Sequence, residues 1–253
     1  MSAFETVIYE KDGPVAKVIL NRPQALNAYN IQMRDDLYEI LSAIRIDDEV
    51  RVILMQGAGE KAFCAGADLS EFLTAPPPVS ARKIRFERDI WGLFAGMPQP
   101  LIAALQGYVL GSGVEMAMCC DMRIASEDAR FGMPEVALGI IPAAGGTQTL
   151  PRVIGVGKSL EMLLTGEWID AKQALDSKMV NRIVPRDKLY EVCEGLAEKM
   201  AAHPPELMRS IKQAVLRGLD LPLEQGLRME KMLAARIFRV AHPEKIMELM
   251  NQP

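Results

Sequence analysis

The chain has 253 residues, 49% of them hydrophobic and 25% charged, with a formal net charge of -4 at pH 7. That length and apolar content support a sizeable buried core. The acidic balance offers no positive field for nucleic acid, and aromatic residues at 6% offer few platforms for stacking bases.

No apolar run is long enough for a membrane span, and the opening MSAFETVIYEKDG has no basic segment leading into an apolar stretch. Neither membrane insertion nor a leader is expected. Cys64, Cys119, Cys120 and Cys193 form no CxxC pair, and the adjacent Cys119 and Cys120 are poorly placed to bridge each other. This usage fits a reducing, cytoplasmic setting.

In chain order, FETVIYEK and VAKVILN read as a strand pair turning at Asp12-Gly13. NRPQALNA is turn-like, and Asn30 is placed to cap a helix whose apolar positions are Met33, Leu37, Leu41 and Ile44. VRVILMQG is a short apolar strand; KAFCAGADL is rich in glycine and alanine, and SEFL reads as a short helix. TAPPPVS interrupts regular structure and is expected to be a mobile loop, with a helix resuming near Ser80 and running toward Phe94. PLIAALQG and DMRIAS read as strands on either side of YVLGSGVEMAMCCD. Strands alternating with helices give an α/β domain. From about Pro142 the pattern turns helical through GTQTLPRVIG, KSLEMLLTG, DAKQALDSK and three longer segments, with MVNRIVP as an extended exception. Met229 and Met232 fall on helical apolar faces and read as core filling.

Three places carry chemical potential. Gly111-Ser112-Gly113 is either a tight turn needed for packing or a helix start whose free N–H groups face negative charge. Glu115 lies among Val114, Met116, Ala117 and Met118, where a carboxylate either complements the helix dipole or has a task. Glu135 sits in a similar setting within FGMPEVALGIIPAAGG, and two glutamates in apolar surroundings suit proton transfer. In Cys64-Ala65-Gly66-Ala67-Asp68, Ala67 offers an unhindered N–H, Asp68 reads as a helix cap before it reads as a base, and Cys64 reads as core. GVGKS lacks the first glycine of a phosphate loop, because Arg152 stands there, and LGSGVEM lacks the third glycine of a dinucleotide turn. His203 and His242, the only histidines, lie beside prolines in the helical tail, and no cluster has metal-ligand spacing.

The passages LNRPQALNA, KAFCAGADL, QGYVLGSGVEMAMCCDMRIAS, FGMPEVALGIIPAAGGTQTLPRVIG and LLTGEWIDAKQAL together resemble the enoyl-CoA hydratase/isomerase (crotonase) family over roughly residues 5 to 185, with a looser match beyond. The resemblance implies an α/β fold, a crotonase-like spiral of ββα units over residues 1–190, with a helical C-terminal trimerisation region over 191–253. It implies an acyl-CoA substrate, no separate cofactor because coenzyme A is part of that substrate, no metal, and a homotrimer or homohexamer. By motif position the oxyanion donors fall on the backbone N–H groups of Ala67 and Ser112, the catalytic pair on Glu115 and Glu135, and coenzyme A contacts on Gln24, Ala25, Ala65 and Asp68. Ser112 departs from the glycine often found there, and the tail RVAHPEKIMELMNQP lacks the family's usual ending, which hints at a cyclic or branched acyl group. The implied reaction is reversible addition of water across the 2,3 double bond of an enoyl-CoA. The alternatives are a Δ3-Δ2 isomerase or another thioester reaction on the same scaffold, and a non-catalytic relative that binds coenzyme A or RNA.

Overall fold

The structure, a computed structural model, describes residues 4–74 and 88–238. The expected loop at TAPPPVS, most of the helix expected from Ser80, and the divergent tail lie outside the described residues. The chain divides into two compact units, one ending at Ala201 and the other beginning at Ala202.

The first unit holds two sheets. The larger has the order β1 (Val7–Asp12), β2 (Val15–Leu20), β3 (Val52–Gly57), β5 (Leu101–Leu105), β7 (Met122–Ser126) and β10 (Arg182–Val184). Only the β1–β2 hairpin is antiparallel; its turn falls at Gly13-Pro14, one residue beyond the expected Asp12-Gly13. The smaller sheet has the order β4 (Ala62–Cys64), β6 (Tyr108–Leu110), β8 (Arg130–Gly132) and β9 (Ile169–Asp170). Along the chain β3, β5 and β7 enter the larger sheet, and β4, β6 and β8 follow each of them into the smaller. Helices α2 (Ile90–Ala95) and α3 (Ser112–Cys119) close two of these turns, which makes the chain a spiral of ββα units. Between the hairpin and β3 runs α1 (Ile31–Ile46), capped as expected by Asn30, whose side chain accepts from Met33 N at 2.9 Å.

The central strands are apolar throughout because both faces are covered. Val52, Leu54, Ile102 and Ala104 face α7 (Leu189–Ala201), meeting Leu189, Cys193 and Ala197. Their neighbours Ile53, Met55, Ala103 and Leu105 point the other way, toward α1, α3 and the smaller sheet. Polar ties reinforce the α7 side. Tyr190 Oη donates to Gln106 Oε1 at 2.6 Å, and Lys17 pairs with Glu194 at 2.6 Å. Helix α7 therefore belongs to the first unit, whereas the sequence reading begins the helical region at residue 191.

After β8 the chain forms a 3-10 turn, Pro134–Leu138, then α4 (Gly146–Ile154), α5 (Val156–Thr165) and α6 (Ala171–Asp176). Asp170 starts α6 with a capping box to Gln173. Strands β8 and β9, which the sequence reading passes over, have too few residues to show a period. The second unit is a pair of consecutive helices, α8 (Pro205–Gly218) and α9 (Leu223–Phe238). Its sequence reading needs one correction: Met232 is 67% exposed and fills no core, because two helices alone bury only one face of each.

Candidate active site

The site is assembled where the small-residue loop after β4 meets the start of α3. Gly113 packs so closely on the end of β4 that a Cβ added to it would lie 2.2 Å from the Cys64 carbonyl oxygen. Gly111, with φ +48, turns the chain from β6 into α3, and its N–H donates to Gly132 O at 2.9 Å. Ser112 is then the first residue of α3, so its N–H has no acceptor inside the helix. Across from it, Tyr29 bridges the β4 loop: its N–H donates to Gly66 O and its carbonyl accepts from Asp68 N, both at 2.8 Å. A parallel bridge of this kind leaves the peptide N–H of the intervening residue, Ala67, on the side away from Tyr29. The two N–H groups thus stand on adjacent pieces of chain, with neither engaged by the strand or helix that carries it.

Glu115 lies in the first turn of α3 and is only 2% exposed. Its Oε1 accepts from Ala144 N at 2.9 Å and from Gly146 N at 2.8 Å. These donors lie at the start of α4, where the helix dipole and free N–H groups favour negative charge. The sequence reading missed both donors; the signal for them is the Gly145-Gly146 pair, which lets the chain enter α4 close to another side chain. Gly146 has no room for more, since an added Cβ would stand 3.0 Å from Glu115 Oε1 and 2.7 Å from Met133 Cε.

Glu135 arrives from the opposite side, on the turn after β8. Its Oε1 would lie 2.8 Å from a Cβ placed on Gly111, so its carboxyl reaches the start of α3. Its Oε2 is buried without a hydrogen-bond partner. Burial pushes the Glu135 pKa up; a hydrogen bond from its own backbone opposes this in part, and the nearby Glu115 charge adds to the rise. The twenty-residue gap between the glutamates in sequence is closed by β7 and β8. The Glu135 carboxyl ends beside Gly111 and the Glu115 carboxyl beside Gly146, near enough for the charge of Glu115 to act on Glu135.

The residues expected to meet coenzyme A form one braced corner. Gln24 and Ala25 ride on a 3-10 turn, Pro23–Ala25, that ends in left-handed Leu26 and Asn27. The buried Asn27 holds this turn by donating to Ala58 O and Ala62 O, each at 2.9 Å. Arg22 ties it to the β4 loop through Asp68, at 2.8 Å. Asp68 also accepts from Ser70 N and Ser70 Oγ; these bonds and Arg22 hold its carboxyl below the usual range. It is a cap and an ion-pair partner, as the first of its two sequence readings has it. The N–H groups of Ala65 and Asp68 are already spent on Leu26 O and Tyr29 O. Gln24 lines a cavity of about 330 Å³ with Pro23, Leu26, Ala58 and Lys61. Cys64 is fully buried and its thiol is pushed up to about 11, which fits a core residue and not a nucleophile.

Comparison with known proteins places the chain in a family. The sequence profile described as enoyl-CoA hydratase/isomerase matches residues 10–250. The chain belongs to the enoyl-CoA hydratase/isomerase family. The match extends past the stretch that carries the resemblance in sequence and includes the C-terminal helices. A probable enoyl-CoA hydratase of Rhizobium meliloti is 42% identical over 236 residues, covering 93% of this chain and 91% of the relative. The (E)-benzylidenesuccinyl-CoA hydratase of Thauera aromatica is 40% identical, covering 87% of this chain and 86% of the relative. Among solved structures, an enoyl-CoA hydratase from Bacillus anthracis superposes with a TM-score of 0.88 at 38% identity, covering 93% of this chain and 92% of that one. The family and the crotonase fold are those the sequence motifs imply.

Proposed function

We propose that this chain is an enoyl-CoA hydratase that adds water reversibly across the 2,3 double bond of an enoyl-CoA thioester. The observation that carries the reading is the Glu135 carboxyl beside Gly111, at the helix start that bears the Ser112 N–H, with the buried Glu115 in the first turn of the same helix and near enough for its charge to act on Glu135. In this mechanism the N–H groups of Ala67 and Ser112 hold the thioester oxygen. As water adds to the β carbon, that oxygen gains the charge of an enolate, and two fixed donors stabilise it without reorganising. Glu115 takes a proton from the attacking water, and Glu135 delivers one to the α carbon. The sum is one water added, and dehydration of the 3-hydroxyacyl thioester retraces the path.

Coenzyme A lies along the corner of Gln24, Ala25, Ala65 and Asp68. Because the Ala65 and Asp68 N–H groups are engaged, and the Asp68 carbonyl accepts from Glu71 N at 3.1 Å, the Ala65 carbonyl is the backbone group proposed to accept from it. No further cofactor is needed. Relatives of similar identity carry names with different acyl groups, among them a short-chain-enoyl-CoA hydratase of Clostridium acetobutylicum at 40%, so the acyl group here is left to a substrate panel. We propose a trimer or hexamer, supported by the exposed apolar row Val156, Leu160 and Leu164 on α5. A cytoplasmic setting is supported by four free cysteines. Among the described residues no helix is long and apolar enough to cross a membrane.

The test is incubation with crotonyl-CoA, followed by the absorbance of the conjugated thioester. Hydration removes that absorbance. If it instead appears from a 3-enoyl thioester, while crotonyl-CoA is left untouched, the enzyme is an isomerase. A Glu115→Gln variant that turns over substrate as fast as the parent removes the assignment of the pair, and a parent that turns over neither thioester is a binding scaffold.

A further inference from the structure

Glu115 and Glu135 are held in different ways. Glu115 is fixed by two backbone hydrogen bonds at its own carboxylate. Glu135 has one buried oxygen with no partner, and the backbone bond its carboxyl accepts comes from its own residue, so the place of the carboxyl depends on the backbone beneath it. Within the 3-10 turn that backbone is closed by Ile140 N donating to Glu135 O at 3.2 Å. This bond shapes the turn but does not fix it against the sheet.

The segment Gly166–Trp168, which leads from α5 into β9, supplies that attachment. Strand β9 pairs antiparallel with β8 through Phe131↔Ile169, so the next residues outward are Gly132 and Trp168. The indole folds across Gly132: a Cβ on that glycine would lie 2.3 Å from Trp168 Cδ1. An aromatic ring over a strand glycine restores the packing that the missing side chain forfeits. The ring is steadied by Tyr108 on β6, edge-on with centroids 5.8 Å apart. At the other end of the segment, Gly166 closes on the same stretch of chain. A Cβ there would lie 3.1 Å from Val136 Cγ1 and 3.8 Å from Pro134 Cα. The segment therefore grips residues 132 and 134–136, with Glu135 between its two contacts. Gly132 O is also the acceptor for the Gly111 N–H at the start of α3. Trp168 is 47% exposed, so about half of the indole lies outside the core.

We propose that Trp168 is a positioning residue for Glu135, acting through Gly132 and the Gly166–Trp168 segment. The proposal rests on the reading of Glu135 as the group that protonates the α carbon. Its consequence is kinetic. A small misplacement of a reacting group, on the order of 1 Å, costs roughly a hundredfold in rate, and partial loosening costs less.

The experiment measures hydration of crotonyl-CoA by the full chain with Trp168→Ala and Trp168→Phe, each made with Glu135 present and in a Glu135→Gln background. With Glu135 present, Trp168→Ala is expected to lower kcat roughly tenfold with KM changed less than about threefold, and Trp168→Phe to recover most of the loss. In the Glu135→Gln background, Trp168→Ala is expected to change kcat less than about twofold, because the group it positions is gone. In the pH profile of the Trp168→Ala variant, the limb that belongs to Glu135 moves toward the ordinary carboxylate range as the carboxyl gains access to water. Unchanged kcat, or an equal loss in both backgrounds, overturns the proposal. Should Trp168→Ala fail to fold, Trp168→Leu carries the same comparison, with the same outcomes supporting or overturning the role. A Glu135→Gln variant as fast as the parent removes the reading of Glu135, and with it the proposal; a slowed but measurable Glu135→Gln enzyme that loses as much again on Trp168→Ala as the parent does overturns the positioning role alone.

Discussion

Gly113→Ala is the most direct perturbation of the geometry that sets Ala67 against Ser112. Gly113 is the second residue of α3, and a methyl group on it would stand 2.2 Å from the Cys64 carbonyl oxygen and 3.0 Å from the Cys64 carbonyl carbon. That oxygen belongs to the backbone at the end of β4, which is paired with β6, so no side chain can rotate to make room. A Cβ contact below 3.0 Å is essentially never tolerated, so α3 and β4 must separate by about 1 Å, and overpacking of this kind costs about 1–3 kcal/mol of stability. The same displacement widens the gap between the two N–H groups, one on each side of the contact. Loss of their register is expected to lower kcat/KM for crotonyl-CoA by about a hundredfold, mostly through kcat, since the donors act on charge that develops only in the reaction. The assay pairs hydration kinetics with thermal unfolding, so that the catalytic loss is read on protein that is still folded. Gly195→Ala in α7 is the control. No atom lies within 4 Å of its added Cβ, and it is expected to gain about 0.5–1 kcal/mol with unchanged kinetics. A Gly113→Ala enzyme with the parent's kcat and melting temperature would refute the reasoning.

Glu115→Gln keeps an oxygen to accept from Ala144 N and Gly146 N, so its melting temperature should stay near the parent's while kcat falls by about 10²–10⁴, measured by initial rates. Glu135→Gln should behave differently in stability. Its carboxyl has a raised folded-state pKa, so the folded protein favours the protonated form, and stability is lost as pH rises through that pKa. The variant is therefore more stable than the parent at neutral pH, and the difference closes as pH falls below the ordinary carboxylate range; chemical denaturation across that range checks the sign. Arg123→Met tests the far end of α3, where the buried guanidinium donates to the carbonyls of Ala117, Cys120 and Met179. Leaving those acceptors without their donor should cost about 2–4 kcal/mol in denaturant unfolding, and Arg123→Lys should recover little because an ammonium cannot span the three.

The central strands of the larger sheet were legible because VRVILMQG and PLIAALQG carry apolar runs between turn residues, and they are buried on both faces as such runs require. The cap at Asn30 was legible from its position ahead of a helical apolar stripe. Strands β8 and β9 were not, because RFG and ID are too short for any periodicity and exist only through pairing with β6 and with each other. The candidate site divides along the same line. Glu115 and Glu135 stand out in sequence as carboxylates in apolar surroundings. Their meeting depends on the spiral, and the residues that fix them, Ala144, Gly146 and Gly111, contribute backbone or the absence of a side chain. Such contributions leave little mark on composition. Met232 misled for a related reason: a helical apolar face shows that something covers it, not that the covering belongs to the same chain.

The chemical difference between the two glutamates also comes from backbone. Both are carboxyls in a poorly solvated place, and side-chain chemistry alone gives no reason for one to hold a proton and the other to release it. The N–H groups that open α4 meet Glu115 Oε1 and favour negative charge there. No such donor meets Glu135 Oε2, and the Glu115 charge disfavours a second one beside it. A pair in which one carboxyl is met by N–H donors and the other is pushed toward its neutral form suits the proposed water addition, in which one group accepts a proton as the other gives one up. The split follows from where α4 begins relative to α3. The Gly145-Gly146 pair that allows that approach is therefore as much a part of the proposed chemistry as the carboxyls it sorts.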